Sequence, residues 1–282
     1  MKNVGYYNGK IGPLEEMMIP MNDRAVFFGD GCYDATLCAN HIPFALEDHL
    51  DRFYNSLRLL EIPFTMSRAE LTAELMKVMD AADDDEVMLY WQCSRGTAFR
   101  DHAFPGPEVK PNLLIYARPY KIVPMDRTLK LITMEDTRFL HCNIKTLNLI
   151  PSVIASQRAK EAGCDETIFH RGDIVTECAH SNVLILQNGV LRSHPANNLI
   201  LPGITRKHLL ELAKENGIPT NEDPFTVQEL MEADEVIMTS SGALCNQVVE
   251  VDGKPVGGKA PQLLKILQDA YTKKFKTYTK QI

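Results

Sequence analysis

The sequence predicts an α+β protein built from two domains. The chain has 282 residues, which is about twice the size of a typical domain, and its 45% hydrophobic and 24% charged residues exclude disordered and collagen-like classes. Runs with the period of strands alternate with runs at the three- and four-residue spacing of helices. The prolines of Arg118-Pro119 to Pro124 mark a linker. We therefore expect a smaller N-terminal α/β domain (1–118), a linker (119–125) and a larger C-terminal α/β domain (126–282).

The first half begins with strand signals. Asn8-Gly9 interrupts a strand-like run from Val4 to Ile11, and this dipeptide is the strongest two-residue hairpin signal. Apolar residues three and four apart predict a helix from Leu46 to Leu60. Ser67 and Glu70 form a capping-box pattern that opens a second helix, ending near Ala81. Further strands are expected over 32–39, 87–93 and 113–117, with a long Pro- and Gly-containing loop over 96–111.

The second half alternates strands and helices and does not repeat the first. Hairpin turns are expected at Asn188-Gly189 and at Asp252-Gly253, and a second capping box at Thr226 to Glu229. Strands are predicted over 129–134, 167–170, 182–186, 190–193 and 235–239, and helices over 152–162, 205–216 and 262–275.

Charge and cysteine content exclude several functional classes. A net charge of -7 argues against a dedicated nucleic-acid binder. The chain has seven cysteines, an odd number, and no CxxC motif. We therefore predict neither a disulfide framework nor a metal site, and a reducing compartment fits this cysteine content best. The N-terminus lacks the apolar core of a signal peptide, and no apolar run is long enough to cross a bilayer. We expect a cytoplasmic protein without membrane contact.

Two segments are suited to hold a phosphate. In Leu201-Pro202-Gly203-Ile204-Thr205-Arg206 a Pro-Gly turn leads into a helix, whose first N–H groups and dipole favour an anion. In Thr239-Ser240-Ser241-Gly242 small hydroxyl residues follow a strand, so that backbone N–H groups can converge on an oxyanion. Ordinary helix caps and turns have the same composition, and either segment alone leaves that alternative open.

Three further places carry chemistry-bearing side chains. Lys145 lies in a leucine-rich stretch, where partial desolvation would favour a nucleophilic amine, although most lysines keep their charged end in water. Glu177 ends a short apolar strand and faces either solvent or a site. Arg100 and His102 can clamp a carboxylate or be ordinary surface residues. Tyr33 begins a strand after two glycines, and a core or rim tyrosine is the common alternative.

Taken together, these stretches resemble the pyridoxal-phosphate enzymes of fold type IV, the class IV aminotransferases and their relatives. The resemblance covers about residues 6–256, and within the family it is closest to the D-amino-acid aminotransferase branch. The motifs that carry it are Phe28-Gly29-Asp30-Gly31-Cys32-Tyr33, His49-Leu50-Asp51-Arg52, Ile144-Lys145-Thr146-Leu147-Asn148, Thr176-Glu177 with Ser181-Asn182, 201–206, Gln92-Cys93-Ser94-Arg95-Gly96 with Arg100-Asp101-His102, and His194-Pro195-Ala196-Asn197-Asn198.

The resemblance implies a role for each matching residue, with the cofactor between the two domains. Lys145 would be the Schiff-base lysine and Glu177 the partner of the pyridine nitrogen. The cofactor phosphate would be held by Arg52, the Ile204 amide, Thr205 and Ser241. The substrate carboxylate would be bound by Tyr33, Arg100 and His102. A homodimer with shared active sites is also implied.

The chain departs from the family pattern at a few positions. Small serines follow the glutamate in the D-amino-acid enzymes, whereas Ala179 and His180 stand here. An imidazole at His180 would narrow the substrate pocket and add a hydrogen-bond donor. Ser241 replaces a frequent threonine and keeps the hydroxyl. These changes bear on the substrate range rather than on the cofactor.

The function implied is ping-pong transamination between a D-amino acid, such as D-alanine or D-glutamate, and a 2-oxo acid. Three alternatives are an aminodeoxychorismate lyase, an L-branched-chain aminotransferase and a non-catalytic phosphate-ligand binder. The pair Arg100 and His102 favours the transaminase over the lyase. Lys145 with Glu177 argues against simple binding, which needs neither group.

Overall fold

The computed structural model describes residues 1–282 and divides into two compact units. Unit 1 contains 1–122, 144–148 and 277–282, and unit 2 contains 123–143 and 149–276. The first break falls inside the expected 119–125 linker. The grouping of residues 144–148 and 277–282 with unit 1 was not predicted, because it depends on contacts between residues that are distant in sequence.

Unit 1 is built on a six-stranded antiparallel sheet in the order β2-β1-β6-β5-β3-β4. Its strands are β1 (Val4–Tyr7), β2 (Lys10–Pro13), β3 (Gly31–Ala39), β4 (Ile42–Pro43), β5 (Val87–Ser94) and β6 (Asn112–Pro119). The Asn8-Gly9 hairpin is confirmed, with both residues at positive φ (46° and 95°). The turn at Asn40-His41 has the same left-handed character and joins β3 to β4.

Three α-helices belong to unit 1: α1 (Arg24–Phe28), α2 (Leu46–Leu59) and α3 (Arg68–Asp80), besides a 3-10 turn at Leu14–Glu16. The predicted spacing on α2 is confirmed, since Leu50, Phe53 and Leu57 are buried in the core of this unit. The predicted capping box on α3 is also present. Ser67 Oγ accepts from the Glu70 N–H at 3.3 Å, and the Ser67 N–H donates to Glu70 Oε2 at 2.7 Å.

Unit 2 is built on a nine-stranded mixed sheet in the order β12-β11-β10-β13-β14-β7-β8-β9, with β15 paired to β14. Its strands are β7 (Thr128–Glu135), β8 (Glu166–Arg171), β9 (Ile174–Cys178), β10 (Asn182–Gln187), β11 (Val190–Ser193), β12 (Thr220–Asn221), β13 (Glu235–Ser240), β14 (Leu244–Val251) and β15 (Lys254–Pro255). The pairs β14/β7, β7/β8 and β11/β12 are parallel. The predicted hairpins at Asn188-Gly189 and Asp252-Gly253 are confirmed.

Four helices accompany this sheet: α4 (Ile150–Glu161), α5 (Ile204–Glu215), α6 (Val227–Glu232) and α7 (Pro261–Tyr278). The Thr226–Glu229 capping box precedes α6 as predicted. The helix α4 buries the small residues Ser152, Ala155 and Ala159, whereas Ile150 and Val153 are exposed. No helix in the chain is both long and apolar enough to cross a membrane.

We expect Ser67→Ala to lower the free energy of unfolding by about 1 kcal/mol, because the Oγ that accepts from the Glu70 N–H is lost while the main-chain N–H of residue 67 remains. Urea unfolding followed by circular dichroism measures this effect. Thr65→Ala, two residues earlier and exposed, serves as the control. Equal midpoints for the two variants would contradict the assigned cap.

Candidate active site

Lys145 is held in unit 1 by main-chain hydrogen bonds to β3. The Tyr33 N–H donates to the Lys145 carbonyl at 2.9 Å, and the Leu147 N–H donates to the Gly31 carbonyl at 3.1 Å. A Cβ on Gly31 would come within 2.4 Å of the Cys93 oxygen and 2.9 Å of Leu147 Cδ1, so the approach requires glycine. Lys145 therefore groups with unit 1, although by residue number it falls within the expected 126–282 domain.

The Lys145 side chain is half-buried and contacts Tyr33. Its Nζ lies 4.4 Å from the centroid of the Tyr33 ring, which is a cation–π distance. The Tyr33 ring in turn stacks on Tyr90 at 5.3 Å between centroids, and Tyr90 stacks on Tyr116 at 4.7 Å. The structure thus brings two of the predicted residues together and supports the tyrosine with an aromatic stack.

Arg52 forms a buried two-point ion pair with Asp34 on β3. Its Nε donates to Asp34 Oδ2 at 2.9 Å and its Nη2 donates to Oδ1 at 2.7 Å. His49 Nδ1 lies 2.8 Å from the same Oδ1. Sequence reasoning missed Asp34 and gave His49 no role. The available signals were an acid within an apolar strand, and the three-residue spacing that places His49 and Arg52 on one helix face.

The electrostatics of this triad fix its charge state. Burial alone would raise the pKa of Asp34, but the charge of Arg52 and the hydrogen bonds from His49 and Arg52 hold it well below its usual range. Burial lowers the pKa of His49, and the nearby Asp34 offsets this only in part. At neutral pH Asp34 is ionised and His49 is neutral.

Arg100 and His102 lie exposed on the long loop between β5 and β6, and both contact the ring of Phe28. The Arg100 Cζ and the His102 ring centroid are each 5.1 Å from the Phe28 centroid. The two predicted carboxylate ligands therefore lie close together.

In unit 2, Glu177 near the end of β9 is buried and surrounded by donors. Arg138 Nη1 donates to its Oε1 at 2.5 Å, and Asn182 Nδ2 donates to its Oε2 at 2.8 Å. The Leu201 N–H lies 3.0 Å from Oε2 and 3.1 Å from Oε1. A cation and two neutral donors thus stabilise the negative charge of this carboxylate.

Arg138 is a site residue that sequence reasoning missed. Its Nε and Nη2 donate to the two oxygens of Asp136, each at 2.9 Å. Burial would lower the pKa of Arg138, but its hydrogen bonds to Asp136 and the charges of Glu177 and Asp136 raise it above its ordinary value. No local pattern marks its contact with Glu177, because Glu177 lies on β9, 39 residues later in the sequence.

The predicted phosphate-binding segment begins α5. Ile204 and Thr205 are buried in its first turn, where no side chain caps the helix and no acidic residue stands. The preceding loop is fixed because Asn182 Nδ2 also donates to the Leu201 carbonyl at 3.0 Å. A Cβ on Gly203 would meet Asn182 Oδ1 at 1.9 Å, so glycine is required for this packing.

The last two predicted residues also lie in unit 2. Ser241 begins the turn between β13 and β14, in which the Ala243 N–H donates to Ser240 Oγ at 3.1 Å. His180 is largely exposed, and its Nδ1 lies 2.5 Å from Oε2 of the buried Glu166. Glu166 also accepts from Ser181 Oγ at 3.2 Å, so His180 is anchored on a carboxylate that the sequence analysis did not single out.

Comparison with known proteins identifies the family. A family model described as Amino-transferase class IV matches residues 31–251. The chain belongs to the class IV aminotransferases. The predicted family is confirmed, and with it a transferase of the pyridoxal-phosphate-dependent type.

Two relatives of this class IV aminotransferase are similar over most of their length. The D-alanine aminotransferase of Staphylococcus aureus (strain MSSA476) is 36% identical over 279 residues, covering 97% of this chain and 98% of that protein. The D-alanine aminotransferase of Bacillus licheniformis is 37% identical over 257 residues, covering 90% of each.

Solved structures confirm the predicted fold. The branched-chain amino acid aminotransferase of Escherichia coli matches with a TM-score of 0.88 at 22% identity, covering 99% of this chain and 96% of that one. The branched-chain aminotransferase of Thermoproteus uzoniensis matches with a TM-score of 0.86 at 21% identity, covering 98% and 96%. At these identities the likeness is one of fold.

This class IV aminotransferase has the types of chemical group that can bind the family's cofactor, pyridoxal phosphate. The uncapped first turn of α5 offers main-chain N–H groups and the Thr205 hydroxyl to a phosphate. Glu177 is a buried carboxylate held by fixed donors, and Lys145 is a half-buried amine.

The lowered pKa of His49 makes stability depend on pH. An unfolded histidine titrates near pH 6.5, so between that pH and the lower folded pKa the unfolded chain binds more protons. The melting temperature should therefore fall as the pH is lowered from 7 through this window, and His49→Asn should make the fall less steep.

Thermal melts at half-unit pH steps measure this slope. His141→Asn, which replaces an exposed histidine in the loop after β7, is the matched control. His194, whose pKa burial also lowers, remains in both variants, so some slope persists. An unchanged slope in the His49 variant would contradict the assignment.

Proposed function

We propose that this class IV aminotransferase transfers the amino group of a D-amino acid, such as D-alanine or D-glutamate, to a 2-oxo acid. The observation that carries the proposal is the near full-length similarity, at 35–37% identity, to relatives named D-alanine aminotransferase. The substrate named for those relatives is extended to this chain as a proposal.

In this proposal several side chains of the chain hold pyridoxal phosphate. Lys145 binds it covalently through Nζ, and Glu177 pairs with the pyridine nitrogen. Arg52, the Ile204 N–H, Thr205 and Ser241 bind the phosphate. When bound, the cofactor supplies an electron sink for the negative charge that develops at the substrate α-carbon.

The protein's own groups orient the substrate and move its proton. The Lys145 Nζ, free once the substrate amine is bound, would take the substrate α-proton as a general base. A D-amino acid leaves as a 2-oxo acid in the first half-reaction, and a second 2-oxo acid is aminated in the next.

Glu177 has an electrostatic role in this scheme. Arg138, Asn182 and the Leu201 N–H hold its carboxylate in place, within 2.5–3.1 Å. An anion so fixed keeps a proton on a ring nitrogen, because the opposite charge favours the protonated ring. Asp136 in turn holds Arg138, so the arginine orients the acid while remaining paired to a second carboxylate.

Substrate selection rests on Tyr33, Arg100 and His102 as ligands of the α-carboxylate. A guanidinium and an imidazole on one loop, with a tyrosine hydroxyl, form a donor set for one carboxylate. Fixing that carboxylate decides which α-hydrogen faces Lys145 and therefore which enantiomer reacts. His180, anchored by Glu166, narrows the pocket for the substrate side chain.

We also propose a homodimer in which this loop serves the partner's site. Phe99 and Phe104 on the loop are exposed, Phe99 by 91% of its surface. Ile150, Val153 and Ile154 form an exposed apolar face on α4. Apolar exposure of this extent is typical of a surface that a second copy covers.

The protein is proposed to act in the cytoplasm on small molecules, without nucleic acid. All seven cysteines are free thiols, and burial raises the pKa of several of them, Cys142 to about 11. Unpaired thiols are typical of a reducing compartment.

Initial rates with D-alanine, L-leucine and aminodeoxychorismate, measured side by side, test the function. We expect 2-oxoglutarate-dependent pyruvate formation from D-alanine at rates well above those of the other two. Dominant activity with L-leucine or pyruvate release from aminodeoxychorismate would replace the proposal with the corresponding alternative.

Lys145→Ala should abolish turnover, and borohydride should no longer fix the cofactor to the protein.

Glu177→Gln should still bind cofactor yet slow the D-alanine half-reaction by about a hundredfold or more, because the ring loses its charge partner. Stopped-flow absorbance measures the half-reaction of the Glu177→Gln variant. Glu161→Gln on the exposed face of α4 is the control. If it slowed the half-reaction as much as Glu177→Gln, the role assigned to Glu177 would be refuted.

A further inference from the structure

The loop that carries Arg100 and His102 begins alongside residues 22–24 of the same unit. The Arg24 N–H donates to the Gly96 carbonyl at 2.9 Å, and the Ala98 N–H donates to the Asn22 carbonyl at 3.1 Å. The loop is therefore attached at its start, whereas Arg100 and His102 themselves are exposed.

The buried Arg24 guanidinium reaches the segment between these two residues. Its Nη1 donates to the Asp101 carbonyl at 2.6 Å, and its Nε donates to Asp30 Oδ2 at 2.7 Å. Because Asp101 stands between Arg100 and His102, this one hydrogen bond restrains the backbone of both. Asp30 keeps the buried arginine neutralised and oriented.

The Phe28 ring forms a second contact to the same segment. It lies 4.9 Å from the Arg24 Cζ, 5.1 Å from the Arg100 Cζ and 5.1 Å from the His102 ring. One aromatic ring therefore contacts the anchoring arginine and both exposed side chains. Such contacts favour particular side-chain positions without occupying their hydrogen-bond donors.

Asp30 has a second cationic partner that holds the loop beyond His102. Arg95 Nε donates to Asp30 Oδ2 at 2.9 Å, and the Arg95 Cζ lies 3.7 Å from the Phe104 ring centroid. Arg95 also donates to the Leu60 and Glu61 carbonyls, at 2.7 and 2.9 Å. The loop is thus restrained on both sides of Arg100 and His102 through one carboxylate.

We propose that Arg24 and Phe28 are positioning residues that hold Arg100 and His102 in the geometry that binds the substrate α-carboxylate. The inference rests on the proposed function, in which that carboxylate is bound by these two residues. Arg24 and Phe28 act through the loop and touch neither substrate nor cofactor. Their effect is therefore on recognition of the carboxylate, and not on the proton transfer at Lys145.

Two variants remove the two contacts separately. Arg24→Lys keeps a cation beside Asp30, but one ammonium cannot reproduce the fork that reaches both Asp30 and the Asp101 carbonyl. Phe28→Leu removes the ring and leaves the Arg24–Asp30 pair intact. Matched controls are Arg118→Lys, an exposed arginine over Tyr120, and Phe27→Leu, the exposed neighbouring ring.

Steady-state kinetics with D-alanine give the first measurement. Each variant should raise KM about tenfold or more, as expected for losing a well-placed charged contact, while kcat stays within about twofold of wild type. The absorbance spectrum of the bound cofactor should not change, and both controls should retain the wild-type KM.

The half-reaction with D-alaninamide, which lacks the carboxylate, separates positioning from general damage. If Arg24 and Phe28 are positioning residues, Arg24→Lys and Phe28→Leu should lower the rate with D-alanine below saturation and leave the rate with D-alaninamide unchanged. Arg100→Ala should show the same pattern. A fall with both substrates in parallel, or an unchanged KM for D-alanine, would overturn the inference. Should Arg24→Lys fail to fold, Phe28→Leu decides by the same criteria.

Arg100→Ala separates this inference from the proposed function. If Arg100→Ala raises KM and the two positioning variants do not, the inference alone fails. If the wild-type enzyme is active and Arg100→Ala has the same KM as the wild type, binding of the carboxylate by Arg100 is refuted, and the inference is refuted with it. Faster trypsin cleavage after Arg100 in Arg24→Lys than in Arg118→Lys would give support independent of activity, and equal cleavage would count against it.

Discussion

Main-chain hydrogen bonds between β3 and residues 144–148 determine where the candidate lysine lies. The Lys145 carbonyl and the Leu147 N–H are both engaged with this strand, and Gly31 allows the backbones to approach. Tyr33 and Asp34 follow on the same strand, so one stretch of β3 positions the lysine, its aromatic neighbour and the carboxylate that holds Arg52. Lys145 is thereby placed with unit 1, although most of the chain around it belongs to unit 2.

Each unit uses a buried aspartate to fix an arginine. Asp34 holds Arg52 at two points, and Asp136 holds Arg138 at two points, leaving the Arg138 Nη1 to reach Glu177. A buried arginine without a carboxylate would carry an uncompensated charge. The pairing restricts the guanidinium to one orientation, so the direction of its remaining donors is set by the fold. The Asp30 cluster repeats the arrangement with Arg24 and Arg95.

Local signals in the sequence were sufficient for elements whose chemistry is local. The Asn8-Gly9 turn, the Ser67 and Thr226 capping boxes and the spacing on α2 all predict what is observed. The strand β14, Leu244–Val251, was not predicted, because its position beside β13 and β7 depends on pairing with distant strands. The family motifs led to Lys145 and Glu177. Asp34 and Arg138 were missed, since their roles depend on partners from other elements.

The division of the chain has a consequence for how the protein forms. The chain passes between the units at 122/123, 143/144, 148/149 and 276/277, so unit 1 is assembled from three separate segments. Asn40 Nδ2 donates to the Thr279 carbonyl at 3.0 Å, and the Phe44 ring contacts Tyr278. During synthesis, the N-terminal sheet therefore cannot complete these contacts until residues 277–282 have left the ribosome. Forming contacts between residues so far apart in the sequence is slow, so we expect unit 1, which carries Lys145, to be completed late in folding.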